Sequence, residues 1–203
     1  MASVYDLKPK FQNLLRPLCA AMARAGMTAN QVTTTAMLLS IAGGAAILAS
    51  HAAPWSLVIL PLLLFVRMAL NAIDGMLARE FGQKSRLGAV LNEMGDVVSD
   101  TALYLPFAVI PGVSPLLVSA VVILAVMTEM AGVVAVQIGA DRRYDGPLGK
   151  SDRAVLFGGL GFFLGLGFVP GVWTDVLLGL AAAAAMFTIV NRAQAALRSS
   201  ALR

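Results

Sequence analysis

Ionisable and amide side chains gather in one stretch of this sequence, residues 71–100, and their spacing is helical. Asn71 and Asp74 stand at i and i+3, and Asn92, Asp96 and Asp100 at i, i+4 and i+8. If the two arms are antiparallel helices, these faces meet. Clustered carboxylate and amide oxygens suit Mg²⁺ or Mn²⁺, hard cations that prefer oxygen ligands and often bridge phosphates. Gly75, Ala78 and Gly88, between the two groups, are small enough for a nucleotide to approach the backbone. Cys19 and His51 are the sole residues of their types. That excludes an internal disulfide, a multi-cysteine or histidine metal cluster and a Ser-His-Asp triad, so carboxylates must carry any chemistry.

The elements that position these residues are membrane helices. Of the 203 residues 59% are hydrophobic and 13% charged, against about 25% charged in a soluble domain. The fold class is therefore all-α, a polytopic membrane protein. At about 20 apolar residues per crossing, the length allows about six spans and no separate soluble domain. Apolar runs place them near residues 32–50, 54–72, 89–110, 115–139, 154–169 and 173–190. The fifth is glycine-rich (Gly158, Gly159, Gly161, Gly165, Gly167), a spacing that lets neighbouring helices approach closely.

Basic residues orient the bundle. All of the 15 Lys and Arg residues except Arg67 fall before span one, between spans two and three or four and five, or after span six. The positive-inside rule then puts both termini and the 71–100 cluster on the cytosolic side. Residues 1–30 are too basic for a signal peptide, so no cleaved leader is expected. Leu7, Phe11, Leu14, Leu18 and Met22 recur at helical spacing beside Lys8, Lys10, Gln12 and Arg16, the pattern of an amphipathic helix on an anionic membrane surface, with Pro17 placed to kink it. The organisation is thus a juxtamembrane segment, 1–30, and a transmembrane domain, 31–203. Because no aromatic residues interleave the basic ones, the net charge of +4 reads as orientation and contact with membrane lipids, and no nucleic acid partner is expected.

A helix rises about 1.5 Å per residue, which puts Asn92, Asp96 and Asp100 roughly 6, 12 and 18 Å inward from Gly88. A polar pocket in the cytosolic leaflet follows, at a depth where a water-soluble molecule can react with a lipid headgroup. The plainer alternative is that intramembrane Asp and Asn only hydrogen-bond helices together.

At these residues the sequence resembles the CDP-alcohol phosphotransferase family, whose pattern is D-x2-D-G-x2-A-R-x8-G-x3-D-x3-D. Here it runs Asn71-x2-Asp74-Gly75-x2-Ala78-Arg79-x8-Gly88-x3-Asn92-x3-Asp96, with every spacing kept and departures only at Asn71 and Asn92. Thr28-Ala-Asn30-Gln31-Val-Thr33 weakly resembles the family's Thr-Pro-Asn-x-x-Thr opening. The resemblance implies transfer of a substituted phosphate from a CDP-alcohol, often CDP-diacylglycerol, to a polar acceptor alcohol with release of CMP. It implies divalent ions, Mg²⁺ or Mn²⁺, two in the family, at Asn71, Asp74, Asn92 and Asp96. Asp96 would be the general base, Gly75, Ala78, Arg79 and Gly88 would line the CDP site with Asp74, and a homodimer is implied. Neutral Asn71 and Asn92 weaken metal binding, so that the site holds one ion firmly, recruits Glu93 or Asp100, or has lost catalysis. Sliding the register to make Asp96 and Asp100 the last pair breaks the spacing.

Outside the motif, Lys150 and Arg153 are candidates to bind a phosphate on the acceptor or an anionic headgroup. Gly149-Lys150-Ser151 is no P-loop, since position 144 is Tyr where that motif needs Gly and no strand precedes it. Arg67, on the face of Asn71 and Asp74, either reaches a phosphate or pairs with Glu129 in span four. The expected activity is that of an inner-membrane phosphatidyltransferase in phospholipid synthesis. The alternatives are a catalytically impaired lipid- or nucleotide-binding relative, or an ion or small-solute transporter.

Overall fold

The computed structural model describes residues 4–200, apart from the side chains of residues 4–8 and of Ser200. Every regular element among the described residues is helical: α1 (Val4–Arg24), α2 (Ala29–Ala49), α3 (Pro54–Val58), α4 (Leu60–Glu80), α5 (Arg86–Tyr104) continued by a 3₁₀ turn (Leu105–Val109), α6 (Pro115–Gln137), α7 (Lys150–Gly165) and α8 (Val172–Ser200). Only Ile59 separates α3 from α4, so the two form one apolar segment.

Local chemistry sets the boundaries. Thr28 caps α2 by accepting from Gln31 N, while the Gln31 side chain accepts from Thr28 N, a reciprocal capping box. Ser85 caps α5 through Gly88 N at 2.9 Å. Ser114 and Pro115 open α6, with proline where no intrahelical N–H is needed. At α7 the Asp152 carboxylate accepts from Gly149 N at 2.9 Å, which starts the helix at Lys150, earlier than the apolar run at 154 suggested. Lys150 and Arg153 therefore lie on a helix and not in a connection. Similarly, α8 extends to Ser200, beyond the apolar limit at 190.

Four segments are long and apolar enough to cross a membrane: Ala29–Ala49, Pro54–Glu80, Pro115–Gln137 and Val172–Ser199. The chain is a membrane protein with an all-helical fold. Of the predicted six spans, α5 and α7 fall outside this group. The 19 residues of α5 carry the ionisable cluster, and the 16 residues of α7 extend only about 24 Å against a hydrocarbon core of about 30 Å.

Packing sorts the turns into two ends. Gly165 approaches Pro54 and Val58, and Gly112 approaches Pro170, so the 50–54, 110–114 and 166–171 connections share one end. At the other, Gly88 lies against Asn30, and Gly146 against Thr188. The main hydrophobic core, centred on Leu60, Leu103, Tyr104, Phe107 and Phe157, sits nearer the first end. The glycines of α7 are only partly contact sites: Gly158, Gly161 and Gly165 meet the α3–α4 segment, whereas nothing approaches Gly159 or Gly167.

Helix α1 packs on α4. Cys19 is buried beside the Ile73 carbonyl, Leu15 and Met22 join the same cluster, Phe11 meets Phe65 edge-on, and Arg16 pairs with Glu80 at 3.0 Å. The expected apolar stripe is thus divided, with Met22 and Phe11 turned toward the bundle and Leu14 and Leu18 exposed. The side chains of Leu7 and Lys8 lie outside the described residues.

α2 packs most extensively against α5, and Gly44 makes this possible: a Cβ there would lie 1.9 Å from Ala102 O. Gly44→Ala should force α2 away from α5, at a cost of about 1–3 kcal/mol for overpacking. Thermal unfolding of the purified protein in detergent should show a midpoint lowered by on the order of 5 °C; an unchanged midpoint would contradict this helix contact.

Candidate functional site

The antiparallel arms predicted from 71–100 do form, as the C-terminal half of α4 and as α5, joined by a turn in which Gly82 takes φ +68. α2 completes the site from a third side. Thr33 Oγ1 lies 2.7 Å from Asp74 Oδ2 and 3.0 Å from Ala29 O. The shorter contact, to the charged acceptor, takes its single proton. Asn30 stands over Gly88, where a Cβ would lie 2.7 Å from Asn30 Oδ1, and Asn30 Nδ2 is 3.5 Å from Ser85 Oγ. Gln83 ties this corner together, accepting from Ala29 N at 2.7 Å and donating to Met27 O at 3.3 Å. The Thr28–Thr33 segment, a minor feature of the sequence, is therefore part of the site's wall.

Asp74 is buried and lies within electrostatic reach of Asp96 and Lys150. Lys150 donates its ammonium to Asp96 Oδ1, and Arg67 Nη2 lies 3.3 Å from the Asp96 carbonyl oxygen. Asn71 is half-buried and Asn92 exposed. Arg79 folds back along its own helix, its guanidinium 3.1–3.2 Å from where a Gly75 Cβ would stand. Ala78 is half-buried against the cluster that includes Cys19 and Ile73.

Behind Asp96 runs a continuous set of ion pairs. Asp100 is shared by Arg67 Nη1 at 2.5 Å and Arg153 Nε at 2.8 Å. Arg153 Nη2 continues to Glu129 Oε1 at 2.8 Å, and its Nη1 donates to Thr128 Oγ1 and Leu148 O. Glu129 also takes Arg142 at 2.8 Å and Arg192 at 3.5 Å, and Arg142 reaches Glu93 at 2.7 Å. Gly132 leaves room for Arg142, since a Cβ there would lie 1.5 Å from its Nη1. Burial works against the Arg142 charge, but the hydrogen bonds it donates to Glu93 and Glu129 outweigh this and hold the guanidinium above its ordinary pKa.

This settles two expectations. Arg67 pairs with Asp100, and at 3.8 Å with Asp96 Oδ1, and not with Glu129: the guanidinium reaches across to α5, whereas three other arginines surround Glu129. Arg153, expected at the ligand, has 0% exposure and both Nη groups and Nε engaged by protein, so it faces Asp100 and Glu129 instead. Lys150 is the member of that pair that opens to the site, with 26% of its side chain exposed.

The sequence profile described as CDP-alcohol phosphatidyltransferase matches residues 26–193. The chain belongs to the CDP-alcohol phosphatidyltransferase family. It is a membrane transferase of phospholipid biosynthesis. It is 43% identical over 199 residues to the inner membrane protein YnbA of Escherichia coli, covering 98% of each chain. It is 28% identical over 202 residues to the phosphatidylinositol phosphate synthase of Mycolicibacterium smegmatis, covering 96% of this chain and 89% of that one. Its fold matches the Mycobacterium tuberculosis phosphatidylinositol phosphate synthase with CDP-DAG bound, at TM-score 0.71 and 22% identity over 91% of this chain and 92% of that one. The same synthase in complex with manganese and citrate matches at TM-score 0.73 and 22% identity, over 90% and 88% of the two chains.

For a CDP-alcohol phosphatidyltransferase, the donor set can be tested for a divalent cation. Asp74 and Asp96 offer carboxylates, Asn71 and Asn92 amides, all hard oxygen donors. The Asn71 amide nitrogen is buried with no hydrogen-bond partner, and a half-turn of the amide puts its oxygen there instead. These residues fit one hard cation. No group of three or more His, Cys, Asp or Glu placed to hold a metal occurs among the described residues.

Sequence reasoning missed Arg192, assigned only to the cytosolic tail, although it is 1% exposed and donates to the Thr128 and Asp145 carbonyls. Its signal was a lone arginine at the end of an apolar helix. Glu129→Gln should leave Arg142, Arg153 and Arg192 sharing a neutral acceptor, and breaking such a buried set costs about 3–5 kcal/mol. Heat or denaturant unfolding in detergent should register that loss, and a variant as stable as the parent would show the network to be energetically idle.

Proposed function

We infer that this phosphatidyltransferase moves the phosphatidyl group of CDP-diacylglycerol to the hydroxyl of a polar, phosphorylated acceptor, with release of CMP, in a divalent-metal-dependent reaction. The observation that carries the reading is the meeting of Asp74, Asp96 and Lys150 beside the end of an apolar groove. That groove, about 470 Å³, runs between α4 and α7 along Pro61, Leu64, Met68, Ala154, Val155 and Phe162. Met68 and Ala154 directly follow Arg67 and Arg153 in sequence, so an acyl chain in the groove brings its headgroup to the carboxylates. The manganese in the complex with citrate of a structural neighbour, and the CDP-DAG in another, are consistent with the choice of cofactor and donor class.

In this reading the motif register holds, with Asn71 and Asn92 at the positions of family aspartates. Gly75, Ala78, Arg79 and Gly88 line the CDP site, with Arg79 turning from Gly75 to the pyrophosphate. A bound Mg²⁺ or Mn²⁺ at Asn71, Asp74, Asn92 and Asp96 supplies positive charge that offsets charge on the pyrophosphate and on departing CMP. Asp96 accepts the proton of the acceptor hydroxyl while its oxygen bonds to the phosphorus that carries diacylglycerol and the bond from that phosphorus to the CMP oxygen breaks. Lys150 uses its remaining N–H groups to hold the acceptor's phosphate. Arg153 acts through Asp100, fixing the helix that presents Asp96.

The same reading assigns six crossings, with the α5–3₁₀ continuation and α7 completing the bundle, since the turns alternate between two ends. Residues 1–30 are the juxtamembrane segment, whose helix α1 docks on α4 through Cys19 and spreads Leu14 and Leu18 into the lipid, and residues 31–203 are the catalytic domain. Both termini and the site face the cytosol at an inner membrane, and the enzyme is a homodimer.

Asp96→Asn should preserve shape but not the base, lowering CMP release by at least about 100-fold while CDP still binds. The assay combines purified protein, Mn²⁺, CDP-diacylglycerol and either glycerol phosphate or inositol phosphate. A parent that binds CDP but releases no CMP with either acceptor would instead be a binding protein that has lost catalysis.

A further inference from the structure

Asp96 already has a cation beside it, and its own helix geometry does not explain why. Lys150 is the first residue of α7, where the positive end of the helix dipole disfavours a cation. The role suited to that end belongs to Asp152, which accepts from Gly149 N. Lys150 is held instead across the helix interface, by Asp96 of α5. An ammonium therefore sits against the preference of its own helix at the carboxylate of a candidate metal site.

The carboxylates that could enlarge the donor set are committed elsewhere. Asp100 lies between Arg67 and Arg153, Glu93 is bound by Arg142, and Glu129 by Arg142, Arg153 and Arg192. Freeing any of them would take a charge partner from an arginine of the network. Asp74 and Asp96 then remain, with Asn71 and Asn92. Two dications about 3.5–4 Å apart repel four times as strongly as two unit charges, and carboxylates around them must offset that repulsion. Here two carboxylates are present, and Asp96 is already matched by Lys150, with Arg67 3.8 Å away as well as bound to Asp100.

We propose that the site takes a single divalent cation per chain, on the side of Asp74 and Asn71, and that the Lys150 ammonium supplies the second positive charge, at Asp96. This rests on the metal-dependent reading above and sharpens it: the two Asn residues and the lysine form one charge set. With amides at Asn71 and Asn92 and an ammonium at Asp96, the oxygen-lined site has a net charge that suits one dication.

Mn²⁺ binding to the purified protein in detergent, counted by electron paramagnetic resonance of the free ion with CDP present, tests this without turnover. The parent should bind one Mn²⁺ per chain. Lys150→Met should bind that ion on the order of tenfold more tightly, because a neighbouring like charge is gone, whereas Lys150→Arg should keep the parent affinity. Lys150→Met combined with Asn71→Asp and Asn92→Asp should bind two. Two ions in the parent would overturn the proposal while leaving metal dependence intact; no ion in the parent would overturn the metal-dependent reading itself. Equal affinity in the parent and Lys150→Met would remove the lysine from the charge set, and this single-residue comparison decides if the triple variant fails to fold.

Discussion

A charge buried without a partner costs several kcal/mol, and a paired one is tolerated only where geometry is good. In this protein that constraint ties the helices together. Arg67 comes from α4, Asp96 and Asp100 from α5, Glu129 from α6, Lys150 and Arg153 from α7 and Arg192 from α8, and each finds its partner on another element. α2 joins through Thr33 and Asp74. Apolar surfaces can slide in lipid with little penalty, since lipid tails are as apolar as leucine. The ion pairs cannot, so they fix rotation and register at the end where the carboxylates meet.

The network divides the polar residues by what they are free to do. Asp100, Glu129, Arg153 and Arg192 are spent on one another and hold helices in place. Asp74 and Asp96 each retain an oxygen not named in those pairs, and the Lys150 ammonium has donors beyond the one directed at Asp96. Asn92 and Arg79 are exposed at the same end. Reactive capacity therefore lies on the outer face of a rigid polar wall, and any ligand meets groups whose positions the inner face has already set.

The sequence made the fold class legible because span length and the confinement of basic residues to alternate connections are direct consequences of burial in lipid. That both arms of residues 71–100 are helical followed from their period alone. Pairings did not: Arg67 was compatible with Glu129 as well as with ligand, and choosing Asp100 needed the interhelical geometry. Lys150 and Arg153 looked alike as basic residues ahead of an apolar run, yet three residues on a helix is most of a turn, which sends one side chain to the open carboxylate and the other into the core. The start of α7 turned on the cap made by Asp152 to Gly149, a local contact that hydropathy does not report. The Thr28–Thr33 segment carried a weak resemblance whose reason is now physical, since it places a hydroxyl on Asp74 and an amide over Gly88.

Where the polar wall stops is as informative as what it contains. Arg67 and Arg153 are followed at once by Met68 and Ala154, so the boundary between ion pairs and apolar groove is one residue wide on both α4 and α7. A lipid linked to a nucleotide has the same boundary, at the phosphate that joins its glycerol to the soluble half. Tails placed in the groove put that phosphate level with the site arginines, and Arg67 touches the Asp96 backbone from this level. Asp96 also carries Lys150 on its side chain, so it links the level of Arg67 to a cation that is partly open to solvent. In the proposed reaction a base must reach both a water-borne alcohol and a phosphate anchored in the bilayer, and Asp96 touches groups of both levels.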